Sequence, residues 1–379
     1  MRYIFNPHLE FAPAAPPGAP ASGTDAVLAF HRSLPGYAPT PVHSLPGLAA
    51  DLGLGHIFLK DESRRFGLRA FKALGASWAL RSVVEVRRAA GLSPPATVAT
   101  ATDGNHGRAL AWAARHLGLE AVVFIPAHAA ASRVEAIRGE GARVVLVDGS
   151  YDDAVARCAA EAAAGGWQVI ADTGYAGYLD VPRSVAAGYA TLFLETEAER
   201  LARGWPAPDL VVVQGGVGAL AAAAVAHAGM GRPQPLVAVV EPDAADCLLE
   251  SIASPGGRPS ATRGRQDSIM AGLNCGLPSL AAWPVLRRGV DLFLSVLDRH
   301  AEEAVQRLWR PAAGDPRIEA GESGAAGLAG LLALCREPAL RGAHDRLRLG
   351  RRTVALLINT EGATDPAGFR RITGEAPPD

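Results

Sequence analysis

Blocks of apolar and polar residues alternate along the middle of the chain. Short runs of branched and aromatic residues are typical of buried strands, and the longer segments between them carry apolar residues at helical spacing. The pattern predicts strands over residues 97–100, 121–125, 143–147 and 168–170, and helices over 105–117, 132–139 and 152–164. Because strands that alternate with helices are joined by right-handed crossovers, this set predicts a parallel sheet.

The same alternation returns further along the chain. It predicts a long helix over 185–203, a helix over 217–228, and strands over 210–214, 236–241 and 353–358. The N-terminal third adds an irregular arm rich in Pro, Ala and Gly over 11–23, helices over 25–33 and 45–52, and a strand over 56–59. The fold class is therefore α/β, with two open, mostly parallel twisted sheets flanked by helices.

Composition and charge narrow the class of protein. With 379 residues, of which 49% are hydrophobic and 20% charged, the chain is too long for one ordinary core, and two domains are expected. The formal net charge of -1 gives no long-range attraction to nucleic acid or to an anionic membrane. No run of 18 apolar residues exists, and the N-terminus lacks the apolar core of a signal peptide.

The four cysteines bear on the compartment and on metal binding. They are dispersed along the chain and form no CxxC pair, so a zinc site built on cysteine is not expected. A cytoplasmic protein with mostly free thiols is the simplest prediction.

One lysine stands out, in the stretch KDESRRFGLRAFKALGA over residues 60–76. Lys72 lies where a helix is predicted to begin, between Phe71 and the apolar pair Ala73 and Leu74. Desolvation in such company lowers the pKa of an ammonium and makes the amine nucleophilic, as Schiff-base lysines require. The alternative interpretation is an ordinary lysine whose aliphatic stem covers apolar surface while its ammonium reaches water. Taken alone, the stretch favours that second interpretation.

A glycine-rich turn follows the strand over 210–214. Its glycines let the backbone approach an anion closely, and the helix that follows offers unpaired amides and a positive dipole end to a phosphate. A dinucleotide-binding turn looks similar, and Glu241 at the end of the next strand could serve a ribose. A tight turn without a ligand is the third interpretation.

Two further polar loops follow predicted strands. Residues 100–107, TATDGNHG, hold more small and polar residues than a helix cap requires, although a cap alone is the simplest interpretation. Residues 359–365, NTEGATD, would by themselves be a polar C-terminal loop. Because ligands in open α/β sheets bind beyond the carboxyl ends of the strands, these loops are expected to share one site with the glycine-rich turn.

With these residues placed, the sequence resembles the fold type II family of pyridoxal-phosphate enzymes, the tryptophan synthase β-like group. AFKALGA resembles the segment that carries the family's Schiff-base lysine, TDGNHG the loop for the substrate carboxylate and cofactor hydroxyl, and GGVGA the phosphate loop. Order and spacing also match, over nearly the whole chain. The stretches SIMAGLNCG, GESGAAGL and NTEGATD resemble the family's diaminopropionate ammonia-lyases.

The resemblance implies a role for each matched residue. Lys72 would hold pyridoxal 5'-phosphate as a Schiff base and, once freed, take the Cα proton from one face of the substrate. Asp103 would take it from the opposite face, where related dehydratases usually carry serine or another small residue. The implied cofactor contacts are Asn105 at the ring hydroxyl, Thr360 at the pyridine nitrogen, and the backbone amides of Gly215, Gly216, Val217 and Gly218 at the phosphate.

The implied substrate is a small amino acid. The implied reaction is α,β-elimination of 2,3-diaminopropionate, in both D and L forms, to pyruvate and two ammonia. The substrate would lie against Thr102, Asp103, Gly104 and His106. Its β-amine needs a carboxylate partner, for which Asp172 and Asp180 are the candidates, with Tyr175 and Tyr178 lining the pocket; a turn cap is the alternative role for Asp172. His106 fits a structural role better than a catalytic one.

Other implications concern assembly and alternatives. The resemblance implies a large cofactor domain over 1–93 and 186–379, a smaller mobile domain over 94–185, and a homodimer. Cys247 and Cys275 fall in segments near the family's active-site entrance, where a disulfide or two free thiols would fit. A serine or threonine dehydratase, a biosynthetic enzyme for a related β-substituted amino acid, and a catalytically silent cofactor-binding protein are the alternative functions.

Overall fold

The computed structural model describes residues 1–10, 23–102, 104–230 and 234–378. Nearly all of the predicted irregular arm, and the proposed base Asp103, lie outside the described residues. In the described part of the chain, no helix combines the length and the apolar character needed to cross a membrane.

A seven-stranded sheet forms the larger layer. Its order is β1-β10-β9-β8-β11-β3-β2, and its core strands are parallel, while β1 and β2 pair antiparallel at the two edges. The strands are β1 (Arg2–Phe5), β2 (Val42–Ser44), β3 (His56–Asp61), β8 (Leu210–Gln214), β9 (Leu236–Pro242), β10 (Leu292–Val296) and β11 (Val354–Asn359). The sequence pattern had not singled out β1, β2 or β10.

A second, wholly parallel sheet has the order β6-β5-β4-β7. Its strands are β4 (Thr97–Ala101), β5 (Glu120–Pro126), β6 (Arg143–Val147) and β7 (Gln168–Val169). The two sheets confirm the predicted fold class. All four strands fall within residues 94–185, the range proposed for the smaller domain, and that division remains a prediction.

Fifteen α-helices flank the two sheets in the described ranges. They are α1 (Gly23–Ser33), α2 (Pro46–Leu52), α3 (Lys72–Ala89), α4 (Asn105–His116), α5 (Ala131–Gly139), α6 (Tyr151–Gly165), α7 (Asp180–Gly188), α8 (Ala190–Arg203), α9 (Ala219–Ala228), α10 (Cys247–Ala253), α11 (Trp283–Gly289), α12 (Asp298–Trp309), α13 (Ala326–Arg336), α14 (Arg341–Leu347) and α15 (Pro366–Thr373). Lys72 is the first residue of α3, as predicted.

The prediction of one helix over 185–203 is wrong. The chain forms α7 and α8, which meet at Tyr189. There the Tyr189 N–H donates to Ala186 O at 3.2 Å, and the Leu192 N–H donates to Tyr189 O at 3.3 Å. These i to i−3 hydrogen bonds tighten the turn at which α7 ends and α8 begins.

The large sheet separates two apolar layers. Successive residues of β8 point to opposite faces, so Val211 and Val213 belong to the apolar layer that contains α9, while Leu210 and Val212 belong to the layer that contains α13. The sheet is thus buried on both sides, which is why its central strands are apolar almost throughout.

A buried ion network fixes the segment that leads to Lys72. Lys60 donates to Glu195 at 2.6 Å, and Arg65 reaches Glu62 at 2.7 Å and Glu195 at 2.6 Å. Two acids and two bases balance in charge, and all four residues are buried. Because Glu195 lies on α8, the network ties β3 and the turn after it to the helical layer.

Glu195→Gln is expected to destabilise the protein by about 3–5 kcal/mol at pH 7, because it leaves buried positive charge uncompensated. Burial would raise the pKa of Glu195, but Arg65 and Lys60 lower it to about 2. The wild-type carboxylate therefore stabilises the fold above its unfolded pKa of 4.5, and this contribution is lost as the pH falls toward 2. Urea unfolding from pH 7 to pH 3 measures both effects.

Glu199→Gln, at the exposed Arg203 pair on α8, is the matched control and should change stability by less than about 0.5 kcal/mol. Equal effects of the two substitutions would contradict the role given to the network.

Candidate active site

Lys72 forms an ion pair with Asp172, a residue of the loop after β7. Lys72 Nζ donates to Asp172 Oδ2 at 2.7 Å, and both side chains are largely buried. Burial alone would lower the pKa of Lys72, as the sequence predicted, but the Asp172 carboxylate outweighs it and holds that pKa above its ordinary value. Burial would raise the pKa of Asp172, and the Lys72 ammonium lowers it. The pair is therefore ammonium and carboxylate in this state.

The chain contains only two lysines, Lys60 and Lys72. Lys60 is fully buried, with its ammonium bound to Glu195 and to the Thr40 carbonyl. Lys72 is therefore the single ε-amine that stands beside the polar loops. This count is a signal in the sequence that pattern analysis did not use.

The glycine-rich turn after β8 is shaped by close packing. A Cβ on Gly215 would lie 2.6 Å from Glu241 Cγ, and one on Gly218, at φ +96°, would lie 2.5 Å from Leu286 Cδ1. The amides of Gly215 and Gly218 donate to Val240 O and Gly215 O. Of the four amides assigned to a phosphate, those of Gly216 and Val217 have no acceptor in the described part of the chain. The turn leads into the N-terminus of α9.

Glu241 lies beneath this turn and is fully buried. Its Oε1 and Oε2 accept the backbone N–H groups of Leu248 and Leu249 at 2.8 and 2.9 Å. Burial raises the pKa of Glu241 to about 8, against the effect of these two donors. A carboxyl group engaged in this way is not available to a ribose, which removes the support for the dinucleotide interpretation.

The loop after β4 brings His106 to the Lys72–Asp172 pair. His106 Nε2 lies 2.9 Å from Ile170 O, and because a carbonyl only accepts, Nε2 carries the proton. The other nitrogen, Nδ1, is buried, has no hydrogen-bond partner among the described residues, and lies 3.9 Å from Asp172 Oδ2. Burial lowers the pKa of His106, so the ring is neutral and Nδ1 is an acceptor.

Thr102 and Gly104 give this loop its shape. Thr102 Oγ1 accepts the N–H of Gly104 at 3.0 Å and that of Gly107 at 3.3 Å. A Cβ on Gly107 would lie 2.4 Å from Thr102 Cγ2, so only glycine fits there. Gly104 is the residue immediately before α4, where the first backbone amides of a helix have no acceptor within the helix.

The loop after β11 contacts both the segment that carries Lys72 and Asn105 at the start of α4. The Phe71 N–H donates to Thr360 O at 3.1 Å, which places the buried Thr360 next to the Lys72 segment. The Asn105 amide donates to the Glu361 carboxylate, so Asn105 is engaged by this loop in the present state. Burial raises the pKa of Glu361, a residue that sequence analysis did not single out.

Asp172 and Asp180, the two candidate partners for the substrate β-amine, lie in different environments. Asp180 begins α7, is almost fully exposed and pairs with Arg183, so it does not meet Asp172 and Lys72 in a common pocket. Tyr178 Oη accepts from Ala171 N and donates to Val169 O, which holds the chain on either side of Asp172. Tyr175 is half-exposed and stacks on Tyr178 at 5.0 Å between ring centroids.

Hydrogen bonds connect the Asp172 loop to the glycine-rich turn. The Gly174 N–H donates to Ser279 Oγ at 2.8 Å, and the Ser279 N–H donates to Val217 O at 2.9 Å. Cys275, in the same segment as Ser279, lies near both Lys72 and the turn. Cys247 Sγ donates to Gly216 O at 3.6 Å. Neither of these two cysteines is in a disulfide in this structure. Sequence analysis had not singled out Ser279.

Tyr189 is a further residue that sequence analysis missed. Its ring is fully buried and lies 4.6 Å from the Phe71 ring, centroid to centroid. Its hydroxyl has no hydrogen-bond partner in the described ranges. The signal in the sequence is Gly75, one helical turn after Lys72, where the missing Cβ leaves room for the phenol ring.

This geometry defines a class of protein: an α/β protein in which one lysine amine lies beside an anion cradle, the open amides of Gly216 and Val217, at the carboxyl ends of its strands. Comparison with known proteins agrees. The family described as "Pyridoxal-phosphate dependent enzyme" matches residues 34–347, and the chain belongs to that family.

Within this family, the chain is similar to enzymes of one named activity. The chain is 39% identical over 365 residues to a diaminopropionate ammonia-lyase of Salmonella typhimurium, covering 91% of this chain and 90% of that protein. It is 38% identical over 362 residues to the Escherichia coli K12 enzyme of the same name, with the same coverage. The crystal structure of the Escherichia coli enzyme with an aminoacrylate-PLP azomethine reaction intermediate superposes with a TM-score of 0.89 at 36% identity, covering 98% and 96% of the two chains.

The residues present fit pyridoxal phosphate. Lys72 offers a primary amine, and the turn before α9 offers the Gly216 and Val217 amides, which have no acceptor among the described residues. Two buried polar atoms beside Lys72, His106 Nδ1 and Tyr189 Oη, have no hydrogen-bond partner among the described residues. No group of three or more His, Cys, Asp or Glu residues that could hold a metal occurs among the described residues.

Proposed function

We propose that this protein is a lyase that converts 2,3-diaminopropionate, in both enantiomers, and water into pyruvate and two ammonia. The observation that carries the proposal is the Asp172 carboxylate, buried 2.7 Å from Lys72 Nζ. A β-ammonium group needs an anionic partner in such a setting, whereas a β-hydroxyl does not. The diaminopropionate ammonia-lyases that cover nine-tenths of this chain support the same substrate.

Asp172 and His106 together suit an ammonium group. Asp172 contributes a negative charge, and His106 Nδ1 contributes a second acceptor 3.9 Å from the carboxylate. An ammonium has three donors and can serve both acceptors at once, but a hydroxyl has one. The pair therefore favours a diamino acid over serine or threonine.

The cofactor would be held by Lys72 at its aldehyde carbon and by the amides of Gly216 and Val217 at its phosphate, beside Thr360 and Asn105. When bound, pyridoxal phosphate supplies an electron sink that stabilises negative charge at Cα. The protein's part is to move protons. Freed Lys72 would take the Cα proton of one enantiomer, and a proton on the departing β-nitrogen lets it leave as ammonia.

Asp103 would take the Cα proton of the other enantiomer. It lies outside the described residues, but its neighbours Thr102 and Gly104 are fixed at the start of α4. A carboxylate is ionised near neutral pH without special tuning, so it can act as a base directly. Two bases on opposite faces of Cα account for activity on both enantiomers.

Product stoichiometry tests the reaction. Purified protein with added cofactor is incubated separately with D- and L-2,3-diaminopropionate, serine and threonine. Ammonia and the 2-oxo acid product are measured, which is pyruvate from diaminopropionate or serine and 2-oxobutyrate from threonine. Two ammonia per pyruvate from both diaminopropionate enantiomers is the expected result. Activity confined to L-serine or L-threonine would establish a dehydratase instead.

Asp103→Asn is expected to lower kcat/KM for D-2,3-diaminopropionate about 100-fold more than for the L-enantiomer, since an amide cannot take the proton. Parallel assays on the separate enantiomers measure this ratio. Asp180→Asn removes an exposed carboxylate on α7 and should leave both rates unchanged. Equal losses on both enantiomers would exclude the two-base arrangement.

We also propose that the protein works in the cytoplasm as a homodimer. The absence of a disulfide at all four cysteines is consistent with a reducing compartment. The solution mass by light scattering tests the assembly, and a mass of one chain would exclude the dimer.

A further inference from the structure

Tyr189, at the junction of α7 and α8, is the most unusual buried polar residue outside the roles given above. Its ring is fully buried, yet its hydroxyl has no hydrogen-bond partner in the part of the chain that the structure describes. A buried hydroxyl left unpaired is costly, and the exceptions in native proteins need an explanation.

Two glycines hold the phenol ring in place. A Cβ on Gly75 would lie 2.6 Å from Tyr189 Cε1 and 2.7 Å from Cζ, so the ring fills the space that this glycine leaves. A Cβ on Gly188 would lie 2.4 Å from Leu74 O, so the junction packs directly on the backbone of α3. Gly75 lies three residues after Lys72 and hence on the same face of α3. The ring carbon that bears the hydroxyl therefore sits one turn along the face that carries Lys72.

We propose that Tyr189 is a positioning residue for Lys72: its hydroxyl becomes the hydrogen-bond partner of the ε-amino group when Asp172 turns to the substrate. This rests on the roles proposed above for Lys72 and Asp172. In the present state Asp172 holds Lys72 at 2.7 Å. A substrate β-ammonium competes for the same carboxylate, so Lys72 then needs a second partner.

A hydroxyl is chemically suited to this exchange. It accepts a hydrogen bond from the ammonium form of Lys72 and donates one to the neutral amine, whereas the Asp172 carboxylate only accepts. Lys72 must pass through both forms when it takes a proton and later gives it up. Tyr189 can hold the nitrogen in place in either form.

The groups that face Lys72 set its protonation. Among the described residues they are Asp172 from the loop after β7, His106 from α4, Tyr189 from the α7–α8 junction, and Cys275 from the segment before Ser279. Burial raises the pKa of Tyr189, so its hydroxyl stays neutral at working pH. Asp172 is the dominant partner, and the contribution of Tyr189 should emerge when the Asp172 charge is removed.

The two lysines of the chain make a direct measurement possible. Full-length, cofactor-free protein labelled with 13C at lysine Cε gives one signal for Lys72 and one for Lys60, and a pH titration reports each pKa. We compare wild type, Tyr189→Phe, Asp172→Asn and the double variant. The Lys72 pKa is expected to change little on adding Tyr189→Phe to wild type. It should fall by about 1 on adding it to Asp172→Asn, where the hydroxyl has become the main acceptor.

Tyr37→Phe is the matched control. Tyr37 Oη donates to Glu195, the partner of Lys60, so its loss should move the Lys60 signal and leave that of Lys72 unchanged. In the loaded enzyme, Tyr189→Phe should lower kcat at least about tenfold with KM nearly unchanged. An identical Lys72 pKa in Asp172→Asn and the double variant would overturn the proposal. A separate experiment tests whether Lys72 is the residue that binds the cofactor covalently. Borohydride reduction of the loaded enzyme would then attach the cofactor to a residue other than Lys72 if that proposed role were wrong.

Discussion

Lys72→Ala is expected to lower kcat for 2,3-diaminopropionate on the order of 10⁴-fold or more, the scale seen when a covalent catalyst is removed. Lys72 is the single ε-amine beside the anion cradle, because Lys60 is bound within the Glu195 network. The variant should still bind pyridoxal phosphate noncovalently through the cradle. Steady-state assays and the absorbance of bound cofactor measure the two effects.

Lys72→Arg separates the covalent role from the ion pair. Arginine keeps a positive charge for Asp172 but has no primary amine, so it should be as inactive as alanine while preserving stability better. Borohydride reduction of the wild-type holoenzyme, followed by peptide mass mapping, identifies the attached residue. Label on Lys60 or on the N-terminal amine would contradict the assignment of Lys72.

Sequence reasoning succeeded where the physics is local or periodic. The strand over 210–214 was predicted with its observed bounds, since a fully buried parallel strand is apolar throughout. The start of α3 at Lys72 and the helix after the glycine-rich turn were also predicted, within two residues. The loops after β4, β8 and β11 were expected to share one end of the strands. The structure connects the loops after β4 and β11 through Asn105 and Glu361.

What sequence reasoning missed depends on contacts between distant residues. Asp172 and Asp180 looked equivalent as partners for a β-amine, because nothing in their neighbourhood shows that one meets Lys72 a hundred residues away. The helical break at Tyr189 left the apolar periodicity intact, so the two helices were predicted as one. Glu241 looked like a ribose ligand because its acceptors are saturated only by the fold.

Asp172 also changes how the lysine works. Burial would favour the neutral, nucleophilic amine, but the carboxylate keeps Lys72 as an ammonium in the present state. A substrate that brings its own β-ammonium can take the carboxylate and thereby release Lys72 toward its neutral form. For a diamino acid, substrate binding and activation of the base would then be one event.

Asp172→Asn should therefore discriminate between substrates. We expect kcat/KM for 2,3-diaminopropionate to fall on the order of 10³-fold, because removing one partner of a buried charge pair costs about 3–5 kcal/mol. Asparagine keeps the size of the side chain, so serine turnover should fall less than about tenfold. The ratio of the two kcat/KM values, measured with D and L forms of each amino acid, isolates the effect of the charge.

The pH dependence strengthens this test. Burial acts to raise the pKa of Asp172, but Lys72 holds it below its ordinary value, so the carboxylate is charged throughout the usual assay range. The discrimination ratio of the wild type should thus be flat on the acid side, down to the pH at which Asp172 gains a proton. Asp180→Asn, which removes a solvent-exposed carboxylate, should leave the ratio unchanged. If Asp172→Asn lowered kcat/KM equally for 2,3-diaminopropionate and serine, Asp172 would serve only to orient Lys72. Another group would then have to recognise the β-amine.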